Sequence, residues 1–346
     1  MIWPFGNFFQ EARSRSLQAL SVGVKASLAG WVPLTDWRKY SSISVSASDK
    51  NNVEINCNRV ELRSSLVGEI EAWADHEMEM RAQVMRALVT GSGSRDSWFI
   101  VSTYYWAVFS SCLLLRLLGT PVFRMVSGDL EPFRRLVTPG SSVPNEGAFR
   151  LEQLGPASAT MEVVRLVRLK SNYHQALWVA AVAALSGIHA STVTSNSNAI
   201  ENALVKAILK GLGATPSRLS DLRNAVNYRS ESGFPASVKG LGFSILADAR
   251  AIRTLDTTNL LVKLSESADA VKTQGDGVVS AAGARFMFWS AVTLSALSQT
   301  LYKEVAPVIR FDRAWCIRRR KFGCSSEFGL PEDMRFWYPV SDAQSK

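Results

Sequence analysis

The chain has 346 residues, of which 47% are hydrophobic and 20% charged. Those values support the buried core of one large domain or two modest ones, and they exclude wholesale disorder. A net charge of +9 favours nucleic acid, anionic lipid or an acidic protein as partner, without choosing among them. Four scattered cysteines, Cys57, Cys112, Cys316 and Cys324, form no CxxC pair. They point to a reducing, cytoplasmic setting with no disulfide framework and no zinc site. Cys112, inside an apolar run, reads as a small core residue.

The opening stretch MIWPFGNFFQEARSR lacks a basic region ahead of its apolar residues, so no secretory signal is expected. Residues 1–40 read as a short amphipathic helix and a connector bearing Trp and Pro. Trp3, Phe5, Phe8 and Phe9 are expected to pack on the protein's own core, with docking on a surface as the alternative. SISVSASDKNNVEINCN (42–58) alternates apolar and polar side chains around a DKNN turn, the pattern of a β-hairpin. Residues 1–58 thus form an N-terminal segment with a small hairpin.

From Arg59 to Val89, Leu62, Leu66, Ile70, Trp73, Met80, Val84 and Leu88 recur at steps of three, four or seven, one face of a long helix. GSGSRD (91–96) breaks it, and Asp96 can cap the next helix. There Trp98, Val101, Tyr105, Val108, Cys112 and Leu115 repeat, until Gly119 and Pro121 stop the helix. The two should form an antiparallel hairpin. Residues 120–156, rich in Pro, Gly and Ser, read as an irregular insertion. Helices are expected again at 158–186, 197–210, 219–229, 257–272 and 277–305. GLG at 211–213 reads as a cap on the helix before it. The longest apolar runs, such as ALWVAAVAALSGI (176–188), fall short of a bilayer, so no transmembrane segment is expected. The fold class that follows is all-α: a helical bundle over 59–309 with an insertion at about 120–218, the small hairpin, and a basic aromatic tail at 310–346.

Two segments carry the clearest chemistry. RDSWFIVSTYYWAVFSSCLLLRLLG (95–119) has paired tyrosines, a further aromatic residue, then small residues and leucines. LSDLRNAVNYR (219–229) opens on Ser220 and Asp221 and presents Arg223, Asn224 and, five positions after the arginine, Tyr228. Together they resemble the HEPN family, helical domains named for higher eukaryotes and prokaryotes nucleotide-binding. The first resembles the family's second helix and the second its signature helix. The resemblance implies binding of RNA or nucleotide through Arg223, Asn224 and Tyr228, a homodimer, and membership of a bacterial toxin or antiphage-defence system with a partner protein. It also implies a conditional endoribonuclease that needs no metal or other cofactor. In that chemistry a base takes the ribose 2′-hydroxyl proton while an arginine stabilises the phosphorane.

Tyr228 stands where many members have histidine. About three-quarters of histidines are neutral at pH 7, against roughly one ionised tyrosine in a thousand. Arg223 therefore has two readings, phosphate binding or a salt bridge to Asp221 or to a neighbouring helix. A non-catalytic scaffold or sensor subunit is the alternative function.

Other segments bear on the same question. RFDRAWCIRRRKFG (310–323) interleaves Arg313, Arg318, Arg319, Arg320 and Lys321 with Trp315, a composition suited to single-stranded nucleic acid, as does Arg229. A solvated face or a contact to an acidic partner is the more usual reading of such a run. VRLVRLKSNYHQALW (164–178) groups Arg165, Arg168 and Lys170 near His174. An ordinary exposed face is the favoured expectation, with His174 as a substitute base the other. His76 beside Glu77 and Glu79 lacks a third metal ligand. GxxxxGK[ST], HExxH and GxSxG do not occur.

Overall fold

The computed structural model describes residues 20, 32–40, 42–90, 96–193, 199–212, 218–228, 257–273 and 280–309. Trp3, Phe5, Phe8, Phe9, Arg229 and the whole tail at 310–346 lie outside the described residues.

Among the described residues, a short helix α1 (Leu34–Tyr40) lies in the expected connector, with Leu34 and Trp37 buried. Strands β1 (Ile43–Ser48) and β2 (Asn52–Asn58) then form the expected hairpin. Its turn is tied by the Asp49 carboxylate, which accepts the amides of Asn51 at 2.6 Å and Asn52 at 2.9 Å. Asn58 leads straight into helix α2 (Arg59–Thr90), its side chain accepting the Val60 amide at 2.9 Å, as an N-cap does. Helix α3 (Asp96–Leu117) follows. It ends where Gly119 (φ 72°) lets Thr120 N–H reach Leu115 C=O and Gly119 N–H reach Arg116 C=O, the Schellman pattern.

Beyond Pro121 the structure departs from expectation. The protein is not all-α with a small hairpin. The hairpin is two strands of a five-stranded antiparallel sheet in the order β1-β2-β5-β4-β3. The other three strands lie in the stretch read as an irregular insertion and a helix: β3 (Val122–Met125), β4 (Gly147–Pro156) and β5 (Met161–Leu169), with helix α4 (Ser127–Leu136) between β3 and β4.

In MEVVRLVRL the pairs Val164/Val167, Arg165/Arg168 and Leu166/Leu169 repeat at three, which imitates a helix. The same residues also alternate, and the structure follows the alternation. Glu162, Val164 and Leu166 are buried, while Val163, Arg165 and Val167 turn away. Tertiary pairing decides it. Val164 faces Ile55 and Leu166 faces Val53 on one side, and Leu151 lies opposite Leu166 on the other. β4 was hidden by its glycines and proline. Gly155, at φ 125°, sits where the register with β5 shifts, a bulge that a strand tolerates.

Helices resume with α5 (Tyr173–Val193), α6 (Ala199–Leu212), α7 (Arg218–Tyr228), α8 (Thr257–Thr273) and α9 (Ala281–Ile309). α3 is the centre, packing against α2, α5, α7 and α9. Its span Trp98–Leu117 has a mean hydropathy of 1.5, long and apolar enough to cross a membrane, yet 78% of it is buried inside the fold. That is how a core helix hydrophobic all round behaves. Cys112 is buried, as expected, and burial pushes its thiol up to about 11.

Two buried carboxylates tie the bundle together. Glu77 of α2 accepts Trp106 Nε1–H at 2.9 Å and Gln299 Nε2–H at 2.8 Å, and Ser295 Oγ–H as well. Arg116 pairs with Glu69 at 2.6 Å, and the other Glu69 oxygen accepts the Leu34 amide at 2.9 Å, which pins α1 to α2.

Candidate functional site

α7 is short, and its apolar stripe Leu219, Leu222 and Val226 is buried. That stripe fixes the helix's rotation. Ser220 and Arg223 are turned inward, while Asp221 and Asn224 remain exposed. Ser220, a candidate cap in the sequence, lies within the first turn and does something else.

Ser220 Oγ is 2.9 Å from the Tyr104 hydroxyl of α3. The same hydroxyl is 2.9 Å from His174 Nδ1, at the start of α5. The Arg223 guanidinium stands over the Tyr104 ring at 5.1 Å and the Tyr105 ring at 5.8 Å, a doubled cation–π contact. Three helices distant in sequence thus meet at one phenol. The chain builds this locally because Asn172 caps α5, its side chain accepting the Gln175 amide at 3.0 Å. His174 therefore falls in the first turn of α5, beside α3.

The electrostatics favour neutral partners for the arginine. Burial first, and the Arg223 charge second, lower the His174 pKa below its ordinary 6.5. Burial raises that of Tyr104, opposed in part by Ser220 and Arg223. Both are uncharged at pH 7. The single phenol proton then has two destinations. Given to Ser220, it obliges Nδ1–H of His174 to donate to the phenol oxygen, which leaves Nε2 as a free base. Donated to Nδ1, it leaves Nε2–H as a hydrogen-bond donor.

These groups border an open cavity of about 540 Å³ between β3, the N-terminal end of α5 and α7. Arg124 of β3, Asn172, His174, Ser220, Arg223 and Asn224 line it. The positive N-terminal end of α5 and the two guanidiniums make it a place for an anion. Among the described residues that line it, Asp221 is the acidic one. Among the described residues, no three His, Cys, Asp or Glu side chains stand together as a metal site.

Of the residues chosen from sequence, Arg223 and Asn224 are in this cavity. Tyr228 closes α7, and its side chain lies outside what is described, as do Arg229, Arg313, Trp315, Arg318, Arg319, Arg320 and Lys321. His174 was set aside as part of an exposed basic face, and the structure brings it to Arg223 instead. On the rest of that face Arg165 pairs with Glu54 at 2.8 Å and Arg168 donates to the Glu146 carbonyl at 3.3 Å, while Lys170 is exposed. Ser220 was read only as a cap and Arg124 was missed. Glu77 is used up in the core, so His76 and Glu77 do not make a joint site.

Compared with family models, curated proteins and solved structures, the chain matches none.

Proposed function

We propose that the protein binds RNA through the cavity between β3, α5 and α7, and that it is a conditional, metal-independent endoribonuclease of the HEPN-like kind. The observation that carries this reading is Arg223 and a neutral His174 bordering one open cavity, joined through Tyr104. Arg223 and Arg124 engage the phosphate, and Asn224 supplies a polar contact beside it. The Tyr104 hydroxyl donates a hydrogen bond to Ser220 Oγ and accepts one from His174 Nδ1–H, which leaves His174 Nε2 to take the ribose 2′-hydroxyl proton. The 2′-oxygen forms a bond to phosphorus as the bond to the 5′-oxygen breaks. The departing oxygen takes a proton from the imidazolium. The products carry a 2′,3′-cyclic phosphate and a 5′-hydroxyl. No oxidant, reductant or metal enters the balance.

The base is thus assigned to His174, on another helix, and Tyr228 is not needed for it. A scaffold function is the second reading. It is favoured by Arg223 being only 7% exposed and stacked on two tyrosines.

The test is RNA integrity in cells overproducing the protein, compared with Arg223→Ala and His174→Ala. Removal of a general base lowers such a reaction by about 10²–10⁴-fold, so cleavage by the wild type alone is expected. Equal RNA profiles from all three proteins at equal folded yield would overturn the nuclease and leave the scaffold.

A further inference from the structure

Beside the cavity runs a row of aromatic rings that the phosphate chemistry does not use. Tyr104, on which Arg223 sits, touches Tyr105 with centroids 5.4 Å apart. Tyr105 meets Phe109 at 5.9 Å, Phe109 meets Trp73 at 5.6 Å and His76 at 5.5 Å, and Trp73 meets His76 at 5.8 Å. The row follows from helical spacing. Tyr105 and Phe109 are four apart on α3, and Trp73 and His76 are three apart on α2. Tyr105, Phe109 and Trp73 are half-buried and His76 is exposed, so the rings reach solvent along the seam between the helices.

Tyr105, Phe109 and Trp73 pack against the core on one side and keep part of each ring at the surface. Trp73 is held on one side by Arg116, whose guanidinium lies 4.5 Å from its ring and is itself locked by Glu69. A cation fixed behind a half-buried indole gives a rigid surface. The row meets the cavity through Arg223, which lines the cavity and lies over the rings of Tyr104 and Tyr105.

We propose that Tyr105, Phe109, Trp73 and His76 are a stacking track for the bases of single-stranded RNA whose phosphate lies at Arg223. This rests on the reading of the cavity as a phosphate site and names its substrate class. Bases carry π-faces and the backbone carries charge. A ring row that starts at a guanidinium on a chain of net charge +9 complements both. A duplex hides its bases and is not a fit.

The experiment measures fluorescence anisotropy with a short 2′-O-methylated, hence uncleavable, oligoribonucleotide. An abasic backbone of equal length and the duplex of the same sequence are compared with it. The wild type should bind the base-bearing strand about tenfold or more tightly than the other two. Phe109→Leu, which keeps apolar volume, and His76→Ala, at an exposed position, should each lose severalfold affinity for that strand alone. Equal affinity for base-bearing and abasic strands, an equally good duplex, or silent variants would overturn the track. If the abasic backbone still binds and Arg223→Ala abolishes that binding, the phosphate site survives while the track falls. If the wild type binds no strand at all, both fall.

Discussion

Tyr104 is the residue on which the site turns, because one phenol serves a serine, an imidazole and a guanidinium at once. Its partners Ser220 and His174 are 116 and 70 positions away in sequence. The paired tyrosines and Arg223 were visible as motifs, since each sits in a short local pattern. His174 was raised only as the less favoured alternative, because nothing in SNYHQ refers to α3. Reading VRLVRLK as helix made things worse. On a helix, Arg165 and Arg168 share a face with one another, whereas on a strand residues three apart point to opposite faces. The pH behaviour of His174 follows from its environment. Its native pKa lies below the ordinary 6.5, so the unfolded chain binds more protons between the two values. Stability is full above about pH 6.5 and falls as acid carries the protein down through that window. Urea unfolding from about pH 8 to pH 5 should show the wild type losing more stability than His174→Asn. Parallel curves would contradict the environment described for this histidine.

Among elements, the long helices and the first hairpin were legible and the three later strands were not. α2, α3, α8 and α9 carry apolar residues at steps of three and four over many turns, a signal that survives local noise. The end of α3 was equally legible, because the Gly119 cap and Pro121 are local chemistry. β4 and β5 are recognised only by what pairs with them. Gly211 shows the same limit inside a helix. It reads as a cap, but it lies within α6, and a Cβ there would fall 2.1 Å from two Phe286 ring atoms of α9. Phe286 is fully buried and its ring has no flexible end to swing aside. Gly211→Ala would gain up to about 1 kcal/mol in helix propensity against roughly 1–3 kcal/mol for overpacking. Net destabilisation is therefore expected in urea unfolding. A variant as stable as the wild type, or more stable, would show that α6 and α9 are not in this close contact.

At the scale of the molecule, the sheet is more than an ornament on a bundle. It supplies Arg124, and the chain leaving β5 starts α5 beside α3 and α7, which is how His174 arrives at the cavity. The stretch read as an insertion of unknown role is thus the part that completes the site. The most direct measurement is a structure of the protein with a short 2′-O-methylated oligoribonucleotide. The account expects a phosphate within hydrogen-bond distance of the Arg223 guanidinium, with the adjoining 2′-oxygen beside His174 Nε2. An oligonucleotide seated elsewhere, with Arg223 still stacked beneath Tyr104 and Tyr105 and untouched, would contradict it.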